Sequence, residues 1–191
     1  MEEIIKADLY RYLPKTYSFI NLLKGFRSQG FRYMFLKRKL DLCKRNSVKY
    51  YILKIIIRHY TYKYGFQIGG NIGAGFFIGH FGTIITNPDA IIGDNCNIAP
   101  GVTIGVTRRG PKVGAPKIGN EVWMGTGAVI VGKVIIGNNV LIAPGSFVNF
   151  DVPDNSIVIG NPGIIKANLH ATENYINNKY IGLSMFKSND I

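Results

Sequence analysis

Residues 118–148 read IGNEVWMGTGAVIVGKVIIGNNVLIAPGSFV, and the spacing of the large apolar side chains in this stretch decides the fold. Ile118, Met124, Ile130, Ile136, Ile142 and Val148 recur every six residues. That period suits neither a helix, which repeats near 3.6, nor a half-buried strand, which repeats at 2. It is the period of a hexapeptide β-solenoid, in which each rung is a short strand plus a corner. The aliphatic points into a narrow core, and a small residue beside it eases the turn. Gly119, Gly125, Gly137 and Ala143 are those small residues.

The same phase extends towards the N-terminus. Phe66, Ile72, Ile78 and Ile84 are six apart, and so are Ile92, Ile98 and Ile104. Three rungs make a triangular coil of about 18 residues, and stacked coils hydrogen-bond at ~4.8 Å. The phased stretch of about 85 residues therefore makes four to five coils. The phase slips twice. Ile84 to Ile92 is eight residues, which reads as a two-residue insertion at Thr86-Asn87-Pro88-Asp89. Ile104 to Ile118 is fourteen, which leaves a loop, VTRRGPKVGAPK, over 106–117. In repeat proteins such insertions collect on loops that often carry the binding site.

Residues 1–65 form a separate, helical region. The patterns predict helices over Glu3–Tyr12, Tyr17–Arg27, Phe31–Lys44 and, N-capped by Ser47, through about Tyr60, with Gly30 as the break before the third. The solenoid domain spans 66–166, and 167–191 read as a C-terminal helix and polar tail.

Charge divides along the same line. The 191-residue chain has 23 Lys+Arg and 11 Asp+Glu, a net of +12. Residues 1–65 hold 15 and 4 of these, a net of +11. This basic, aromatic segment points to an anionic membrane surface, a phosphorylated carrier or an acidic polymer, or else to a solvated helical face. Nucleic acid is not expected, since no binding motif accompanies the charge. The N-terminus lacks the basic and apolar regions of a signal peptide. The run Tyr50–Ile57 is broken by Lys54 and falls far short of a membrane span, so the expected location is cytoplasmic, with peripheral contact at the inner membrane face. Two cysteines make no disulfide framework, and three histidines, of which only His80 lies on the solenoid, argue against a metal site.

His80 stands in Gly79-His80-Phe81-Gly82-Thr83-Ile84-Ile85, two residues after a core Ile, where a side chain faces outward at a corner. An accessible imidazole there can exchange a proton near neutral pH. Cys96, two before Ile98, reads as small-residue packing rather than a nucleophile.

Three strings carry a resemblance to a known family: Gly79–Ile85, Val102-Thr103-Ile104-Gly105-Val106-Thr107, and Val158-Ile159-Gly160-Asn161-Pro162-Gly163. They resemble the hexapeptide-repeat acyltransferases, in the serine acetyltransferase-like branch. The likeness runs from about Phe66 to Lys166. It implies a left-handed parallel β-helix and a homotrimer with active sites between neighbouring subunits, with larger assemblies through the N-terminal helices. It also implies acetyl-CoA as the acyl donor, no metal, and His80 as general base in a ternary complex. By position it implies Gly105, Thr107, Lys117, Trp123, Gly125, Ala143, Gly160, Pro162 and Lys166 along the coenzyme A groove, with Gly125 and Ala143 offering backbone amides, and Lys112 as a further phosphate partner. Trp123 is placed there or at the subunit seam.

The sequence departs from the serine acetyltransferase pattern at the acceptor. Gly79 stands where that branch has Asp, and Gly114 and Ala115 stand where it has Arg-His. Gly65 stands where an Asp orients the catalytic histidine. A zwitterion needs charge partners, and these positions offer none. The chain therefore looks closest to capsule and exopolysaccharide O-acetyltransferases, with a saccharide hydroxyl as acceptor. Serine O-acetylation in cysteine biosynthesis is the alternative, and a non-catalytic solenoid used for assembly is a third reading.

Overall fold

The computed structural model describes residues 2–181. Four helices come first: α1 (Glu2–Tyr12), α2 (Phe19–Gly25), α3 (Gln29–Asp41) and α4 (Val48–Tyr64). Ser18 and Ser47 cap α2 and α4, their Oγ atoms accepting from the Asn21 and Tyr50 amides at 3.2 and 3.1 Å. Gly65 ends α4 in the left-handed region at φ 76°. The expected break at Gly30 is not one. Ser28 is the N-cap of α3, and Gly30 lies inside the helix, buried against the solenoid. Its missing side chain serves close approach, not helix termination.

Short strands follow: β1 (Phe66–Ile68), β2 (Asn71–Ile72), β3 (Phe77–Ile78), β4 (Ile84–Thr86), β5 (Ile91–Ile92), β6 (Asn97–Ile98), β7 (Thr103–Gly105), β8 (Lys117–Ile118), β9 (Val122–Met124), β10 (Val129–Val131), β11 (Ile135–Ile136), β12 (Val140–Ile142), β13 (Phe147–Val148), β14 (Ser156–Ile159) and β15 (Ile164–Ala167). They stack as three parallel sheets in the orders β1-β4-β7-β10-β13, β2-β5-β8-β11 and β3-β6-β9-β12-β14, the last closed by the antiparallel β15. This is a parallel β-solenoid, a triangular prism whose three walls each take one strand per coil. All the phased positions from Phe66 to Val148 are buried in one continuous core. A second inward column lies two residues earlier and includes Cys96, Val102, Val122, Ala128, Val134 and Val140.

The strand register moves the first insertion. Ile78 pairs with Ile98, but Thr86, not Ile84, pairs with Ile104. The step from Ile78 to Thr86 is therefore eight residues where Ile98 to Ile104 is six. The two extra residues lie in the corner Gly79–Thr83, not at Thr86–Asp89. Both Ile84 and Thr86 point inward and both are buried, so apolar spacing alone could not tell which one continues the column.

The helices brace the first coil. Tyr12 Oη accepts from the Ile78 amide at 2.8 Å and donates to its carbonyl at 3.2 Å. The buried pair Arg38–Asp8, at 3.0 Å, spans α3 and α1. Arg38 also donates to the Ile72 and Gly73 carbonyls, and Asp8 accepts from the Phe76 amide. Burial pushes the Asp8 carboxyl up, and Arg38 pulls against it. A buried charge left without such partners would cost several kcal/mol, so the network holds its members in one arrangement.

The chain after Ala167 forms no helix among the described residues, contrary to expectation; 182–191 lie outside them. Instead, 168–181 run as a strap from the last coil back to the first. Asn139 donates to the Leu169 carbonyl and accepts from Thr172. Tyr175 meets Trp123, Lys179 pairs with Glu121, and Tyr180 bonds Asn95 and Glu3. The polar side chains along the solenoid corner supply these bonds, which a free amphipathic helix would lack.

Candidate active site

His80 occupies the enlarged corner between β3 and β4 and is exposed. That corner heads a column of stacked corners. The Gly101 amide donates to Thr83 at 2.6 Å, Gly127 to Pro100 at 3.0 Å, and Gly145 to Thr126 at 2.9 Å. The ladder fixes the corner's backbone, and the two extra residues let it project. From below, Gly65 supports it: the Ile84 amide donates to the Gly65 carbonyl at 3.0 Å, and Gly82 to that of Tyr64 at 2.9 Å. A β-carbon on Gly65 would sit 3.1 Å from Gly82 C and Thr83 N, at a positive φ that disfavours any side chain. Among the described residues no hydrogen bond reaches the His80 imidazole.

Beside His80 lies a hollow of about 340 Å³ on the outer face of the third sheet. Phe77, Asn97, Pro100, Trp123, Thr126 and Tyr175 line it with His80, and no Asp, Glu, Lys or Arg takes part. Trp123 and Tyr175 meet with ring centroids 4.8 Å apart. Asn97 is held from below by the buried Arg11 of α1 and donates to the Tyr175 carbonyl at 3.1 Å. Arg11 Nη1 also donates to the Asn95 carbonyl at 3.1 Å. Tyr175 was not legible in the sequence, because nothing periodic ties the C-terminal strap to the solenoid.

The other sequence candidates divide between two places. Trp123, Gly125, Ala143, Gly160 and Pro162 stand on or beside the column of corners that His80 heads. Two of these amides are not on offer, however. Gly125 N donates to the Ile142 carbonyl and Ala143 N to that of Val158, both at 2.8 Å. Stacked coils consume the N–H groups that the sequence reading assigned to the groove. A β-carbon on Gly125 would lie 2.7 Å from Pro144 N, so this glycine serves coil stacking. Gly160 N donates to Ser146 Oγ, and Lys166 lies exposed on β15, opposite Ile157.

Gly105, Thr107 and Lys117 stand on a different edge, at the root of the extended loop. Thr107 bridges Gly114 and donates from Oγ1 to the Lys112 carbonyl, closing the loop on itself. Lys112 Nζ reaches Asp151 at 2.6 Å, and the Lys133 amide donates to the Lys112 carbonyl at 2.8 Å. Lys112, Lys117 and Lys133 thus line a hollow of about 340 Å³ with a single carboxylate, Asp151. Nothing in the sequence marks Lys133; only the folded loop brings it to the other two lysines.

Cys96 is fully buried, its Sγ 3.2 Å from the Gly119 carbonyl, and burial pushes its thiol up to about 12. A thiol so held stays protonated and is no nucleophile. Among the described residues no cluster of three or more His, Cys, Asp or Glu could hold a metal ion.

The sequence pattern of the bacterial transferase hexapeptide family (six repeats) matches residues 115–149. The serine acetyltransferase of Bacillus pumilus is 33% identical over 82% of this chain and 68% of its own. The chain belongs to the hexapeptide-repeat acyltransferases, in the serine acetyltransferase-like branch. The Escherichia coli protein WcaB, named as a candidate colanic acid biosynthesis acetyltransferase, is 36% identical over 60% of this chain and 70% of its own. Across the first three curated relatives the matches cover 39%, 68% and 54% of the relative's length. The crystal structure of the Neisseria gonorrhoeae serine acetyltransferase in complex with serine superposes with a TM-score of 0.67 at 28% identity, over 87% of this chain and 69% of that one. That of Brucella abortus in complex with coenzyme A, at 24% identity, gives 0.73 over 87% and 68% and bears on the fold alone.

Proposed function

We propose that this protein is an acetyl-CoA-dependent O-acetyltransferase in which His80 is the general base and an uncharged saccharide hydroxyl is the acceptor. Family membership supports the acetyl transfer, and the acetyltransferase relatives support acetyl-CoA as donor. One observation carries the acceptor. The hollow at His80 is walled by Phe77, Trp123 and Tyr175 and holds no carboxylate, lysine or arginine. A sugar ring presents apolar C–H faces to aromatic rings and needs no counter-ion, whereas a free amino acid brings two charges that would be desolvated unpaired.

The chemistry asks little of the protein. An alcohol is a poor nucleophile at neutral pH. The unprotonated imidazole of His80 takes the hydroxyl proton as the oxygen attacks the thioester carbonyl. Holding both reactants at one corner supplies much of the acceleration. The tetrahedral oxyanion collapses, the C–S bond breaks, and the imidazolium returns its proton to the coenzyme A thiolate. The lysine-lined hollow under the extended loop suits the cofactor's phosphates: Lys112, Lys117 and Lys133 face one carboxylate. It lies on another edge of the solenoid from His80. Side-by-side packing of copies in a homotrimer would set one chain's loop edge against the next chain's His80 corner.

A second reading has its own support. The serine acetyltransferases among the similar proteins speak for L-serine as the acceptor, where the hollow's chemistry favours a sugar. Coenzyme A release from acetyl-CoA, measured with L-serine and with a panel of sugars and oligosaccharides, decides. Release with a saccharide and not with serine is expected. Release with serine overturns the acceptor assignment, and release with neither, without acetyl-CoA binding, overturns the enzyme.

A further inference from the structure

Helix α4 buries one face and leaves the opposite one bare. Tyr50, Leu53, Ile57, Tyr60, Thr61 and Tyr64 turn inward, and the last lies against Phe66 of the solenoid. At 3.6 residues per turn, Val48, Ile52, Ile55, His59 and Tyr62 form a stripe directly opposite, and all are exposed, Val48 by 77%, Ile55 by 70% and Tyr62 by 73%. An isolated exposed isoleucine is ordinary; a stripe four turns long is not. The cations are placed with equal regularity. Arg58 and Lys63 border the stripe on its two sides, with Lys54, its head over the Tyr50 ring, and Lys49 a step further out, all four exposed. The helix has no acidic residue. Arg58 lies over the Tyr62 ring, its head at the border of the stripe.

We infer that α4 is a membrane-surface helix that lays the stripe Val48–Tyr62 into the headgroup boundary of an anionic bilayer, with Lys49, Lys54, Arg58 and Lys63 on lipid phosphates. Apolar side chains in the centre with basic ones on both shoulders is the arrangement that an interfacial helix requires. Charge complementarity selects this occupant over a second copy of the chain. Two such faces brought together would set the same four cations of each copy against one another with no carboxylate between them. No helix among the described residues is long and apolar enough to cross a membrane, so the contact is peripheral. The inference does not depend on which acceptor the enzyme uses.

The test is co-sedimentation of the full-length protein with vesicles of phosphatidylcholine alone and of phosphatidylcholine with phosphatidylglycerol, at low and high salt. Sizing by light scattering without lipid runs alongside. Binding is expected only to the anionic vesicles and should weaken with salt. Lys54→Glu with Arg58→Glu should weaken it more than tenfold, since each basic residue near such a surface contributes about fivefold. Ile52→Glu with Ile55→Glu should abolish it. Both pairs are exposed, and unchanged melting curves establish that the variants fold. No binding to anionic vesicles overturns the inference. So does equal binding by either variant, which would assign the contact to another surface. An oligomer that Ile52→Glu with Ile55→Glu dissociates, without vesicle binding, would make this face an interface between copies and likewise overturn it.

Discussion

Gly30 of α3 lies against the backbone of Ile78, two residues before His80. A β-carbon at Gly30 would overlap the Ile78 carbonyl oxygen and come within 2.8 Å of its Cβ. The same carbonyl accepts from Tyr12 of α1. Two helices thus clamp the strand that leads into the His80 corner, at a point where no side chain fits. The N-terminal region is in this sense part of the site, since it sets the height at which the corner leaves the coil.

Gly30→Ala should therefore destabilise the protein by about 1–3 kcal/mol, the usual cost of forcing a methyl group into a filled contact. Gly30 is the second residue of α3, and there the propensity gain of alanine over glycine is at most ~1 kcal/mol. The sign of the change in melting temperature thus separates close packing from mere helix breaking. A raised melting temperature would show that α3 has room to move off Ile78.

His80→Ala should lower acetyl transfer at least ~100-fold, the usual contribution of a positioned base. The side chain is exposed and makes no hydrogen bond among the described residues, so the melting curve should not move. Turnover within a few-fold of the parent would remove His80 from the reaction.

Tyr175→Ala tests the acceptor hollow. The ring meets Trp123 at a tilt of 59°, at the edge of a space that His80 also lines. Losing one aromatic wall should raise the acceptor KM about tenfold while kcat changes much less, because the proton transfer is untouched. An unchanged KM would place the acceptor elsewhere on the corner.

Cys96 should be inert. With its thiol pushed up to about 12 by burial, it carries almost no thiolate at neutral pH. Cys43 is only half-buried. A thiol reagent should therefore modify Cys43 rapidly in the native state and Cys96 only on unfolding, and mass spectrometry of the labelled peptides reads this directly. Rapid labelling of Cys96 would mean that the solenoid opens at its second coil.

The core was legible because a six-residue period leaves little freedom: once Ile118, Met124 and Ile130 are seen in phase, each inward position follows. What escaped was everything that depends on which atoms meet. Spacing alone does not locate the two-residue insertion, because Ile84 and Thr86 both point inward on one strand and only pairing with Thr103–Ile104 distinguishes them. Gly30 read as a helix breaker because close approach leaves no sign in a single sequence. The amides of Gly125 and Ala143 look free in the sequence, and the next coil takes both. Tyr175 and Lys133 join the candidate hollows through a strap and a folded loop, which periodicity cannot place.

The extended loop is tethered by Asp151, and the tether should fail in acid. The Lys112 ammonium, at 2.6 Å, and the Ile135 amide, at 2.8 Å, hold the Asp151 carboxyl below its ordinary value of 3.8. A carboxyl held low in the folded state stabilises that state above its unfolded pKa, and the contribution disappears as pH falls through the folded value. Loop anchoring should therefore be constant from neutral pH down to about 5 and decline below about 4. Hydrogen exchange at the Thr107, Gly114 and Lys133 amides, corrected for intrinsic rates, should accelerate over that acid range. Asp151→Asn keeps the acceptor for Ile135 but loses the charge. At neutral pH it should already expose Arg108 and Arg109 to trypsin several-fold faster. If the variant and the parent are cut at equal rates, the loop is held by its other bonds, Thr107 to Gly114 and to Lys112 and Lys133 to Lys112, and not by the ion pair.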